Sequence, residues 1–433
     1  MIRRPPRSTQ SRSSAASDVY KRQATFEGEI VRALRNGSDL PFGAACRILK
    51  GRDREVDILR KDIQFVAAGG SALRVWVGDY GTGKSLLGRA ALELGLEAGL
   101  LPIYVSEPPL SKPVELYQAI INGIITPEFA GDSLFYLLSQ WAESAIREIE
   151  QTGLTRGQDT LFRESVTRKI LDFEFTNDFN MAISAFVDAH LSGMEDQKKK
   201  IVDWMSGRKV NYWDLKALKI SRRVETKEES YLFIQDILKL SRTIAYNGVL
   251  MVFDELELMQ NLPSRTTFKG YEALREIVDM ISSKDFPRLY SILLGTPTWF
   301  ENPDRGVKSY LALYDRLKTE VSVTTESTVQ TLALISPDIF DPLLSELSAI
   351  YATAYGYDPK KALTATLKEA LKTRLSSPFH QNQFVEMRQV VKSLIEFFDL
   401  LKDGASAEKA LQIIDSSARP AKEAGTQTAD FWG

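Results

Sequence analysis

Five residues, Gly78, Gly81, Gly83, Lys84 and Ser85, fall within an eight-residue stretch reading G-x-x-x-x-G-K-S. Those residue types at that spacing suit the grip of a phosphate. The glycines let the backbone bend so that successive N–H groups, and the start of the following helix, point at an anion. Lys84 would reach the β- and γ-phosphates of a nucleotide, and the Ser85 hydroxyl would ligate Mg2+. The expected nucleotide-contacting residues are therefore Gly78, Asp79, Tyr80, Gly81, Thr82, Gly83, Lys84, Ser85 and Leu86. The alternative is a glycine-rich turn without a ligand, but the fixed positions arise by chance in only roughly one chain in a hundred of this size. A second candidate lies far downstream, where the apolar run Gly248 to Phe253 ends in Asp254 and Glu255. Asp254 would hold Mg2+ through water, and Glu255 would orient or deprotonate an attacking water. Glu257 lies close by and receives no role.

These groups need a parallel sheet to bring them together. Leu73 to Val77 reads as a short buried strand ahead of the loop, and Leu86 to Ala98 as the helix after it. Further strands are expected at Leu101 to Val105, Gly248 to Phe253, Tyr290 to Leu294 and Glu320 to Thr325. Such apolar runs deliver their last residues to the carboxyl edge of the sheet, where α/β proteins bind ligands. The predicted class is α/β, a P-loop NTPase core of AAA+ type with a large helical insertion and a helical lid. In that arrangement Thr296, just after the strand ending at Leu294, sits between the carboxylates and the γ-phosphate; otherwise Gly295-Thr296-Pro297 is a strand-ending turn. Arg305 or Arg316 would serve in trans as an arginine finger, which requires a homo-oligomer, unless both are plain surface residues. Gly51-Arg52, opening a helix that runs to Ala68, is either an adenine-side segment or a charged surface helix.

Composition bounds the rest. The 433 residues suffice for two or three domains, and 44% hydrophobic with 26% charged residues is ordinary for a globular protein. With 55 basic against 57 acidic residues the net charge is -2, so any nucleic-acid surface has to be local. One cysteine, Cys46, excludes an intramolecular disulfide framework; with only His190 and His380 beside it, a Cys/His zinc site is not expected. No apolar run reaches the roughly 18 to 20 residues of a membrane span. A reducing, cytoplasmic setting is expected.

The chain divides, on this reading, into 1–23, a lead-in at 24–50, a core at 51–326 with a helical insertion at about 126–228, a helical domain at 327–417 and a tail at 418–433. Residues 1–23 carry six basic side chains, Arg3, Arg4, Arg7, Arg12, Lys21 and Arg22, against Asp18. A basic arm or a transit peptide would have such a composition, but the segment reads best as translated adapter sequence fused to a gene. Within the insertion, Lys198, Lys199, Lys200, Arg208, Lys209, Lys216, Lys219, Arg222 and Arg223 interleave with Trp204, Tyr212 and Trp213. This pattern fits either nucleic-acid contact, with DNA the candidate partner, or a solvated helical face with aromatic anchors.

Taken in order, several of these features resemble the BrxD-type ATP-binding proteins of BREX phage-exclusion systems. They are Gly51-Arg52 with Ala67 to Gly70, the Gly-x-Tyr-Gly-x-Gly-Lys loop, the Trp204 to Gly207 turn and Phe253 to Glu257. Tyr271 to Asp279, Gly295 to Phe300 and Tyr310 to Arg316 complete the series, which spans roughly Gly28 to Leu401. The resemblance implies an AAA+-like ATPase working beside a methyltransferase and other defence proteins. It also implies a nucleotide-sensing arginine at the start of the helix near Phe384. Here that place reads Gln381-Asn382-Gln383, with Arg388 a turn or more later, a departure that leaves a second sensor open. The functional expectation is an ATP-hydrolysing conformational switch; the alternatives are a non-hydrolysing nucleotide-binding scaffold and a DNA-loading or transposition-type regulator.

Overall fold

A computed structural model describes residues 25–127, 132–153, most of 161–168, 175–208, 210–217, 224–244, 246–282, 286–319, 327–333, 337–380 and 387–417. By their internal contacts they form two units. The larger comprises 52–79 and 84–333; the smaller takes the described parts of 1–51 and 334–433 together with 80–83.

The larger unit is built on a five-stranded parallel sheet. Its strands are β1 (Ala72–Val77), β2 (Leu100–Ser106), β3 (Gly248–Asp254), β4 (Leu289–Gly295) and β5 (Val329–Thr331), in the order β2-β3-β4-β1-β5. This is an α/β architecture compatible with a P-loop NTPase core. Every residue of β1, β3 and β4 is buried, as expected of parallel strands covered on both faces. The expected strand at Glu320 to Thr325 lies outside the described residues. The fifth strand described instead is Val329–Thr331, which runs parallel to β1 with Val75 opposite Val329.

The helix Lys84–Glu97 lies against β2, β3 and β4. Two small residues on one face permit the close approach. A Cβ at Gly88 would come within 2.8 Å of the Leu294 side chain, and one at Gly95 within 2.7 Å of Leu250. The helix Asp53–Ala67, packed against β1, β3 and β4, begins with Asp53 and Glu55, which suit the positive end of its dipole.

Between β2 and β3 the chain makes six described helices: Pro113–Asn122, Ser133–Gln151, Asn177–Leu191, Glu195–Met205, Tyr212–Ala217 and Lys227–Thr243. Their aromatic side chains join the same apolar core as the sheet residues Val75, Ile103 and Phe253. Phe233 meets Tyr117, Phe179 and Trp204 edge-on, with ring centroids 5.6, 5.7 and 5.5 Å away. Edge-to-face pairs of this kind contribute about 0.5–1.5 kcal/mol each beyond area burial. Buried Asp236 accepts from the backbone N–H of Thr176 at 3.1 Å and from its hydroxyl at 2.5 Å.

The smaller unit is helical. A helix over 25–36 and the short helix Ala45–Ile48 belong with Phe340–Tyr355, Ala365–His380, Met387–Lys402 and Ala407–Ser417. Two arginines tie the early segment to the late helices. Arg35 forks onto Asp399 with both contacts at 2.8 Å, and Arg47 reaches Glu27 at 2.5 Å and Glu346 at 2.9 Å. Leu347, Tyr351, Leu394, Ile395 and Phe398 fill the interior.

Candidate functional site

The strand register determines where the candidate residues meet. Ser106 stands opposite Asp254, Phe253 opposite Leu293, and Val77 opposite both Gly295 and Thr331. The carboxyl ends of all five strands therefore share one edge. The loop after β1, the carboxylates at the end of β3 and Thr296 after β4 all start from it.

The loop begins at Gly78, whose N–H donates to the carbonyl of Gly295 at 3.1 Å. Gly81 and Gly83 have φ of 79° and 87°, in the left-handed region that glycine enters without a Cβ clash. The helix then starts at Lys84, with Ser85 and Leu86 in its first turn. Its first N–H groups lack carbonyl partners within the helix and suit an anion. Lys84 is buried, and its Nζ donates to the carbonyls of Gly78 at 2.8 Å and Asp79 at 3.1 Å. Burial pushes its pKa down, while the negative charges of Glu257, Asp254 and Asp79 oppose that shift.

Asp254 is almost fully buried, and both of its oxygens are engaged. Oδ2 accepts from the Tyr104 hydroxyl at 2.7 Å, and Oδ1 from the Glu255 N–H at 2.8 Å. Glu255 itself sits at φ 59°, left-handed for a residue that has a Cβ. Strain of this kind amounts to about 1–3 kcal/mol and gathers at functional sites. The kink turns the chain into the 3-10 helix Leu256–Asn261 and sets the Glu255 carboxylate where the Ser106 hydroxyl donates to it at 3.2 Å. Glu107, just past β2, is likewise left-handed at φ 50°, and its N–H donates to the Asp254 carbonyl at 3.2 Å.

Glu257 lies two residues after Glu255 and is buried, and its Oε2 has no hydrogen-bond partner among the described residues. Burial raises its pKa; its own backbone N–H and Lys84 oppose the rise, and Asp254 and Glu255 add to it. Thr296 is buried and caps the helix Pro297–Glu301, its Oγ1 accepting from the Trp299 N–H at 3.2 Å. It thus ends the strand as a turn residue while remaining on the edge that carries the carboxylates.

The two finger candidates lie elsewhere. Arg305 donates to the Leu262 carbonyl at 2.5 Å. Arg316, on the helix Leu311–Thr319, pairs with Asp279, which Arg275 also holds at 2.7 Å. Among the described residues neither guanidinium hydrogen-bonds to the loop or the carboxylate pair. Arg52 is buried, bonded to Glu55 at 3.0 Å and to the Ala333 carbonyl at 2.7 Å.

In the basic stretch, several cations have acidic partners. Lys198 pairs with Glu195 at 2.6 Å, Lys200 with Asp214 at 2.7 Å, and Arg208 with Asp203 at 2.8 Å and Asp132 at 3.0 Å. Trp204 is buried in the apolar core, whereas Trp213 is exposed. Lys209, Lys219, Arg222 and Arg223 lie outside the described residues.

Sequence reasoning missed Tyr104 and Ser106, the two β2 hydroxyls that hold the carboxylate pair. The available signal was the period of two: residues 104 and 106 share a face of a strand that ends in a polar residue. Among the described residues no group of three or more His, Cys, Asp or Glu side chains could hold a metal alone. One carboxylate and one hydroxyl fit Mg2+ better than a caged ion, because Mg2+ keeps several waters and shares phosphate oxygens. Among the described residues, no helix is long and apolar enough to cross a membrane.

Comparison with known proteins returned no match among curated proteins and none among solved structures. A family model, by contrast, spans residues 22–415, so the chain belongs to the family of the BREX system ATP-binding protein BrxC/D.

Proposed function

We propose that the chain is a Mg2+-dependent ATPase whose turnover switches its conformation or assembly within a multiprotein BREX-like defence complex. Family membership makes it an ATP-binding protein of a BREX system. The observation that carries the step from binding to hydrolysis is the common sheet edge, from which the Lys84 loop and the Asp254–Glu255 pair both start.

The loop N–H groups and Lys84 would hold the β- and γ-phosphates. Ser85 and Asp254 would hold Mg2+, with water between Asp254 and the ion. When bound, the ion supplies neutralisation of the charge shared by the β- and γ-oxygens. Glu255 would orient the attacking water and take its proton, its kinked backbone and the Ser106 hydroxyl fixing the carboxylate beforehand. Thr296 would donate its hydroxyl hydrogen toward the γ-phosphate side. Arg316, supplied by a neighbouring copy, would stabilise charge developing there; Arg305 is the other candidate. Positioning and electrostatics carry such a reaction.

Phosphate release by the purified chain, with Mg2+ and with the metal chelated, tests the reading. Metal-dependent release together with an ATP-dependent change in hydrodynamic size supports it. Tight ATP binding without release would favour a non-hydrolysing scaffold.

A further inference from the structure

We propose that Tyr104 is a positioning residue for the Asp254 carboxylate, and that Arg89 couples this hydrogen bond to the helix of the phosphate loop. Tyr104 donates to Asp254 Oδ2 at 2.7 Å, and the guanidinium of Arg89 lies over the Tyr104 ring, 4.7 Å from its centroid. Arg89 stands on the helix Lys84–Glu97, four residues after Ser85 and so on the same face. Three side chains, Arg89, Tyr104 and Asp254, thus connect the helix that starts at the loop to the carboxylate at the end of β3.

The chemistry follows from hydrogen-bond capacity. A carboxylate oxygen has two lone pairs. Accepting from Tyr104 takes one on Oδ2 and leaves another for a metal-bound water. The Glu255 N–H holds Oδ1, so the two donors fix both the position and the plane of the carboxylate. Groups that orient a metal ligand in this way typically change metal affinity by about 10- to 100-fold when removed. A cation over the ring draws electron density from it and makes the phenol a better donor, strengthening its hold on Asp254. Displacing the loop helix moves Arg89 and weakens that hold.

This inference rests on the assignment of Asp254 to Mg2+. The test is the Mg2+ dependence of binding of a fluorescent ATP analogue to the full chain, measured for wild type, Tyr104→Phe, Arg89→Gln and Asp254→Asn. The expected result for Tyr104→Phe is unchanged affinity in chelator, with the Mg2+ midpoint raised about tenfold and the unfolding midpoint lowered by the loss of one hydrogen bond to a buried carboxylate. Arg89→Gln shifts the midpoint in the same direction by a smaller factor, and Asp254→Asn removes the Mg2+ dependence. Loss of the dependence in Asp254→Asn with a wild-type midpoint in Tyr104→Phe would overturn the positioning role and leave the Asp254 assignment standing. A wild-type midpoint in Asp254→Asn would overturn both.

Discussion

Arg74 and Asp62 form a fully buried bidentate ion pair, with Nε to Oδ2 at 2.9 Å and the second nitrogen to Oδ1 at 2.8 Å. The Tyr290 hydroxyl donates to the same carboxylate at 2.9 Å, and Arg74 also donates to the Ser327 carbonyl at 2.9 Å. The pair joins the helix Asp53–Ala67 to the amino-terminal halves of β1 and β4. Removing one partner strands a buried charge, which costs about 3–5 kcal/mol. Arg74→Met and Asp62→Asn should therefore each lower the denaturant midpoint sharply. The triple change Asp62→Leu, Arg74→Met and Tyr290→Phe should unfold at a higher midpoint than either single variant.

Glu257 gives a pH dependence of stability. Its folded pKa lies above the ordinary 4.5 because burial disfavours the charged form. Its favourable contribution is fully present below pH 4.5 and is lost as pH rises through the raised folded value. Glu257→Gln stays neutral throughout. The variant's unfolding midpoint relative to wild type should climb from pH 4.5 upward and level off a few degrees higher. Thermal melts of both proteins at matched pH values check this.

Lys84→Ala should remove a charge-assisted contact to phosphate. A loss of about 10- to 100-fold in ATP affinity is expected from the 1.5–3 kcal/mol of such bonds. Calorimetric titration measures it. The unfolding midpoint should fall little, because the lysine's burial already disfavours its charge.

The finger assignment predicts complementation. Arg316 sits in a half-exposed ion pair with Asp279, so Arg316→Ala should cost at most about 1 kcal/mol of stability. Its turnover should nonetheless fall by about 10³-fold. Mixing Arg316→Ala chains with Glu255→Gln chains should restore part of the lost phosphate release, because each chain supplies what the other lacks. Restoration with Arg305→Ala chains, and none with Arg316→Ala, would move the role to Arg305.

What the sequence disclosed follows from how locally each feature is encoded. β1 to β4 were readable because strands buried on both faces are continuous apolar runs, as in Val249 to Phe253. The strand Val329–Thr331 has three residues and a half-exposed pattern, too little for any periodicity to register. The loop and the Asp254–Glu255 pair are each a short contiguous stretch and could be read directly. The hydroxyls of Tyr104 and Ser106 reach that pair only through the register of β2 on β3, 150 residues apart in the case of Tyr104. Arg74 stands inside an apolar run, and only its buried partner on a neighbouring helix accounts for it. The association of the helix over 25–36 with Met387–Lys402 depends on Arg35 meeting Asp399, a pairing across 364 residues with no local signal.

The central claim is that Glu255 activates water for hydrolysis of bound ATP. Turnover and ATP affinity of the Glu255→Gln chain, measured beside wild type with Mg2+ present, test it most directly. The account predicts equal affinity with phosphate release slowed by about 10²- to 10⁴-fold, the usual contribution of a general base. Equal rates of release in the two proteins would contradict it.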